Sequence, residues 1–196
     1  MSNRPTPQDA LIVVDVQNDF LPGGALAVAR GDEVVPIINR LLPLFPVRAF
    51  TRDWHPPDHI SFSRDPKFMD RSWPPHCVQH TPGAHFAPNL LIDPGDRIVN
   101  KGFQPDQEAY SGFQGTDLRE WLSARGIRRV FVAGLATDYC VKATALDALA
   151  AGFQAVLVTD AVRAVDAPPG TGEQAVAQMR SAGVALMGSQ ELTDVR

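Results

Sequence analysis

Between Ala10 and Val16 the chain reads A-L-I-V-V-D-V, an unbroken apolar, β-branched run until Asp15. A strand with one wet face alternates polar and apolar residues, so a run without alternation has both faces covered. The run is also far shorter than the roughly 20 apolar residues of a membrane span. Similar runs follow at Arg129 to Gly134 and Gln154 to Thr159, with weaker ones at Val47 to Thr51, Arg97 to Lys101 and Val184 to Met187. Helical spacing fills the intervals: Asp32 to Leu44 with Asp32 as cap, Thr116 to about Ala124, Asp138 to Ala151 before Gly152, and Glu173 to Ser181. Strands alternating with helices argue for an α/β fold, a parallel sheet with helices on both faces.

The length of 196 residues suits one domain, 1–196, and the 44% apolar and 20% charged content is ordinary for a globular chain. Many of the 17 prolines fall between Phe45 and Pro105, so the region of about 52–95 reads as long loops, which are often functional. A net charge of -4 without a basic run argues against nucleic acid and anionic membrane as partners. Met1 to Asp9 is polar, with two prolines and no charged-then-apolar leader, so the cytoplasm is the expected location. Two cysteines, Cys77 and Cys140, are too few for a disulfide scaffold.

Ligands in open parallel sheets bind at the carboxyl ends of the strands. Four reactive residues fall there: Asp15, Asp53, Lys101 and Cys140. Cys140 lies in G-L-A-T-D-Y-C-V, where a strand turns into a helix and the helix N-terminus favours thiolate. A cysteine nucleophile needs a base and a steadying cation, and Asp15 and Lys101 are the candidates. A lone cysteine is otherwise an ordinary core residue. Four of the five histidines lie between His55 and His80. Asp53 and His55 alternate, and His76 could close a ligand set for zinc, iron or manganese. Cys77 is set aside, because in an extended segment it would point away from His76. Phe20, Trp54, Trp73 and Tyr110 could hold a flat heteroaromatic or amide substrate.

The blocks D-V-Q-N-D-F, D-W-H-P, W-P-P-H-C-V-Q, N-K-G, Y-S-G-F and A-T-D-Y-C-V resemble the nicotinamidases, within the isochorismatase-like cysteine hydrolases. The resemblance runs from about Ala10 to Ala161. It implies a Rossmann-like, three-layer α-β-α fold on a mainly parallel six-stranded sheet, and hydrolysis of nicotinamide, with pyrazinamide as a further substrate. The catalytic positions match Asp15, Lys101 and Cys140, and the ligands of one divalent metal ion match Asp53, His55 and His76, with His59 reaching the metal in some members. Zinc is the first expectation for that ion. Phe20, Trp73 and Tyr110 match positions around the substrate ring. A cis peptide is implied at Leu135–Ala136, with the N–H groups of Ala136 and Cys140 as oxyanion hole. The assembly would be a monomer or homodimer. The rival readings are another amide hydrolase of the same superfamily, a metal-water hydrolase in which Cys140 is only core, and a metal- or ligand-binding protein without turnover.

Overall fold

Backbone alternation in β1 (Asp9–Val14) sends Leu11 and Val13 to one face of the sheet and Ala10, Ile12 and Val14 to the other. All five are 0% exposed, as an unbroken apolar run requires. This arrangement comes from a computed structural model, which describes residues 4–68 and 72–193. The first part of the polar N-terminal stretch (1–3) and part of the proline-rich loops (69–71) lie outside those residues.

The sheet comprises β1, β2 (Val47–Asp53), β3 (Arg97–Lys101), β4 (Arg129–Leu135), β5 (Gln154–Arg163) and β6 (Ala185–Met187). All pairings are parallel, in the order β3-β2-β1-β4-β5-β6. Helices α1 (Val34–Leu41) and α5 (Ser189–Thr193) bring Ile38, Leu41 and Leu192 to the Leu11 face. Helices α2 (Leu118–Ser123), α3 (Lys142–Ala150) and α4 (Thr171–Ala182) bring Leu122, Ala145 and Met179 to the Ile12 face. The result is the three-layer α/β architecture expected, with a sheet that is wholly parallel. Connections leave β1 and β4 in opposite directions across the sheet, which opens a crevice at their carboxyl ends.

Several local expectations change. β1 stops at Val14, because Asp15 takes φ 47° and its N–H turns to the Thr51 carbonyl (3.1 Å). Asp32 does not cap α1: it lies inside a short 3₁₀ turn, Gly31–Glu33, and the helix starts without a side-chain cap. The helix expected to Leu44 ends at Leu41, and Leu42–Leu44 forms a 3₁₀ turn around Pro43. The helix expected from Thr116 starts at Leu118 with Asp117, not Thr116, at its cap position; Thr116 Oγ1 accepts the Leu118 N–H at 3.3 Å from one residue further back. The third helix opens as a wide π turn, Thr137–Val141, before α3. β5 runs on past Thr159 to Arg163, and α5 was not expected. Cys77 takes φ 46°, so its segment is not extended as assumed; its side chain lies in the core. Among the described residues no helix is long and apolar enough to cross a membrane.

Candidate active site

Each reactive side chain enters from a different strand. Lys101 ends β3 and Asp53 ends β2, and the ladder sets them opposite each other. Asp15 follows β1, and the Thr51 hydroxyl donates to its Oδ1 at 2.7 Å. Cys140 sits in the π turn after β4. All four are buried, Asp15 and Lys101 completely. Lys101 Nζ lies 2.5 Å from Asp53 Oδ1, 2.8 Å from Asp15 Oδ2 and 3.3 Å from Cys140 Sγ, and also donates to the Ala109 carbonyl at 3.2 Å. Asp15 Oδ2 meets Lys101 as a buried ion pair, and by geometry it accepts no regular hydrogen bond among the described residues.

The two carboxylates flanking Lys101 are therefore unlike. Burial raises Asp15, with Lys101 pulling the other way. For Asp53 burial is outweighed by Lys101 and His55, which hold it well below the usual carboxylate range. Asp53 stays anionic, and Asp15 is the carboxyl better able to take a proton. Burial opposes charge on Lys101, but Asp15 and Asp53 push it well up. Burial pushes the Cys140 thiol well up against the pull of Lys101, so the resting group is a thiol.

The opposite oxygen of Asp53 faces two imidazoles. His55 Nδ1 meets the Gly102 carbonyl and His76 Nδ1 the Pro74 carbonyl, each at 2.8 Å. Carbonyls only accept, so both Nδ1 atoms carry protons, and both Nε2 atoms point at Asp53 Oδ2, at 3.7 and 4.0 Å. Burial draws His76 down to about 4, so its Nε2 offers a lone pair. A lone pair aimed at a carboxylate is unfavourable unless a cation lies between them. The three ligand atoms lie within 4.8 Å of one another, close to the spacing set by metal–ligand bonds of about 2.0–2.2 Å. The residues fit a divalent ion. His59 stands beside the trio with its ring 4.1 Å from that of His55, but its Nε2 donates to the Gln107 carbonyl (3.1 Å) and its Nδ1 meets Ser61 Oγ (2.8 Å).

Two supporting residues escaped sequence reasoning. Gln17 is fully buried; its Oε1 accepts the Asp53 N–H and its Nε2 donates to the Asp53 carbonyl, each at 2.8 Å. Gly102 lies so near His55 that a Cβ would stand 2.4 Å from Cε1. Their types were visible in Q-N-D-F and N-K-G, but their roles depend on partners distant in sequence.

Between trio and thiol is a narrow cavity. Phe20, Trp73 and Tyr110 line it as expected, and Tyr139, Val165 and Glu108 join them unforeseen. Trp73 Nε1 donates to Tyr110 Oη at 3.0 Å, and the Tyr139 ring meets Trp73 edge-on at 4.9 Å. Trp54 is not in this wall: it lies under the Arg52 guanidinium, 4.0 Å from the ring centre. Leu135–Ala136 is cis. The Ala136 carbonyl accepts the N–H groups of Tyr139 and Val141, at 3.1 Å each, stepping over that of Cys140.

A family profile described as the isochorismatase domain matches residues 9–191. The chain is 42% identical over 188 residues to the nicotinamidase/pyrazinamidase of Mycobacterium tuberculosis, covering 91% of this chain and 97% of that protein. It is similar to a solved pyrazinamidase of Pyrococcus horikoshii in complex with zinc, with a TM-score of 0.84, 46% identity, and 93% and 99% of the two chains covered. An L. infantum protein solved in complex with nicotinate gives a TM-score of 0.86 at 36% identity, with 96% of each chain covered.

Proposed function

This chain belongs to the isochorismatase family, and on that premise we propose that it is a metal-containing cysteine amidohydrolase converting nicotinamide and water to nicotinate and ammonia. Pyrazinamide, a ring amide of the same shape, is a further substrate. One observation carries the reading. The Asp53 carboxylate touches Lys101 with one oxygen and faces His55 and His76 with the other. The nucleophile's cluster and the ligand trio are thus separated by a single carboxyl group, in one cavity walled by aromatic rings. That spacing suits a small planar substrate bearing a ring nitrogen on one side and an amide carbon on the other. An amide hydrolase for non-aromatic substrates has no use for the trio.

Asp53, His55 and His76 hold one divalent ion, zinc in the first instance; when bound, it supplies a Lewis-acidic point for the pyridine nitrogen or an intervening water. Phe20, Trp73 and Tyr110 flank the ring. Asp15 takes the Cys140 proton, and the sulfur attacks the amide carbon. The N–H groups of Ala136 and Cys140 receive the oxyanion. The proton on Asp15 passes to the nitrogen, the C–N bond breaks and ammonia leaves. Water then adds to the thioester, with Asp15 again taking the proton and returning it to the departing sulfur. Lys101 steadies the negative charge as it moves between Asp15 and Cys140. The enzyme works in the cytoplasm, in salvage of the pyridine ring for NAD.

The test is ammonia release from nicotinamide and pyrazinamide by wild type and Cys140→Ala, with metal content measured in the same preparations. The variant should lose at least about 1,000-fold in kcat, the scale seen when a covalent nucleophile is removed. A near wild-type rate in Cys140→Ala would overturn covalent catalysis. No ammonia from the wild type at any metal loading would overturn the enzyme reading.

A further inference from the structure

Glu108 stands where two cavities meet. On one side is the aromatic cavity; on the other is a hollow open to solvent, lined by Gly102, Gln104, Gln107 and Gln114. Glu108 and Ala109 line both. This partition is next to the nucleophile: the Ala109 carbonyl accepts from Lys101 Nζ, which in turn touches Cys140 Sγ. Glu108 Oε1 accepts the Ala109 N–H at 3.1 Å, which folds the carboxylate back onto the partition. Gln114 fixes the same segment by donating to the Glu108 carbonyl at 2.8 Å. Burial and the Asp53 charge both work against an anion here. One backbone hydrogen bond offsets little of that cost, whereas a substrate rich in N–H groups would offset more.

Resting on the amidohydrolase reading above, we propose that Glu108 is the subsite for the leaving nitrogen, accepting an N–H of the substrate carboxamide, and that the outer hollow receives the ammonia. The atoms balance. As the S–C bond forms and the proton on Asp15 moves to nitrogen, the nitrogen gains positive character, which the Glu108 carboxylate stabilises. The C–N bond breaks and neutral ammonia passes into the polar hollow. There it takes a proton from water, and the hydroxide left behind is neutralised by the acid proton of the nicotinic acid released after thioester hydrolysis. Once nitrogen has left, the same carboxylate repels the product's carboxylate. The other carboxylate lining the aromatic cavity, Asp53, is engaged by Lys101 and faces the two imidazoles, which leaves Glu108 to meet the amide nitrogen.

Glu108→Gln tests this, since glutamine keeps the size and can still accept the Ala109 N–H. Nicotinamide is compared with methyl nicotinate, whose leaving methanol carries neither N–H donors nor positive charge. The variant should lose about tenfold in kcat/KM for the amide, the size of a lost charge-assisted hydrogen bond, while ester turnover holds. Inhibition by ammonium chloride, measured against sodium chloride, should weaken with it. An equal fall for both substrates, with ammonium inhibition intact, would mean a merely structural residue and would overturn the subsite. A wild type that releases no ammonia from nicotinamide would instead overturn the amidohydrolase reading, and the subsite with it.

Discussion

At the scale of single residues, the site depends on small groups as much as on reactive ones. Gly102 follows Lys101, takes φ +59° and presents its carbonyl to His55. Gly102→Ala adds a Cβ into the His55 ring and strains the turn, so it should displace a ligand while leaving all three ligands present. We expect metal affinity to fall about 10- to 100-fold, the usual cost of disturbing a ligand's support, read by metal content after dialysis and by ammonia release. Which residues the sequence revealed follows the same physics. Asp15 and Cys140 stood out because they follow apolar strands in which a polar group needs a reason. Gln17 and Glu108 did not, because an isolated glutamine or glutamate in a loop is ordinary until its partners are in place. Trp54 looked like pocket lining for its neighbourhood in D-W-H-P, yet the strand-end geometry turns it to Arg52.

Among the elements, the two ends of the sheet have different work. The carboxyl ends carry Asp15, Asp53, Lys101 and Cys140; the amino ends are structural. There Asp9 of β1 pairs across the ladder with Arg129 of β4 through two contacts of 2.8 Å, and also accepts the Thr6 N–H at 2.6 Å. Burial works to raise Asp9, but Arg129 and Thr6 prevail and hold it below its ordinary value. A carboxyl lowered by folding stabilises above its unfolded pKa, and that contribution fades as pH falls through the folded one. Asp9→Asn should therefore cost about 2 kcal/mol near pH 7 and less near pH 3, by urea unfolding, with turnover per folded molecule unchanged. Most elements were legible because their apolar periods are long enough to show. α5 is too short to carry a period, and the end of β5 passes through Thr159 and Asp160, which break its apolar run. The Asp32 cap failed because a 3₁₀ turn intervenes before α1.

For the whole molecule, the trio joins residues from β2 and from the loop around His76, so an ion there ties together parts of the chain that only the fold brings near. A ligand that binds the folded chain alone stabilises it by mass action, about 2.7 kcal/mol at a hundred times its Kd. Chelator-treated protein should melt at a lower temperature and release no ammonia; zinc should restore both, and His76→Ala should remove the zinc-dependent rise. A Tm indifferent to zinc in the wild type would rule out a shared ion. The sheet order has a consequence in time. β1 is the first strand to leave the ribosome, yet its neighbours are β2 and β4. One of its edges therefore waits until Arg129–Leu135 has been made, and such distant pairing is slow to close. The wait is catalytically quiet. Until β4 docks, Cys140 stands apart from Asp15 and Lys101, so a half-made chain carries a thiol but no catalyst.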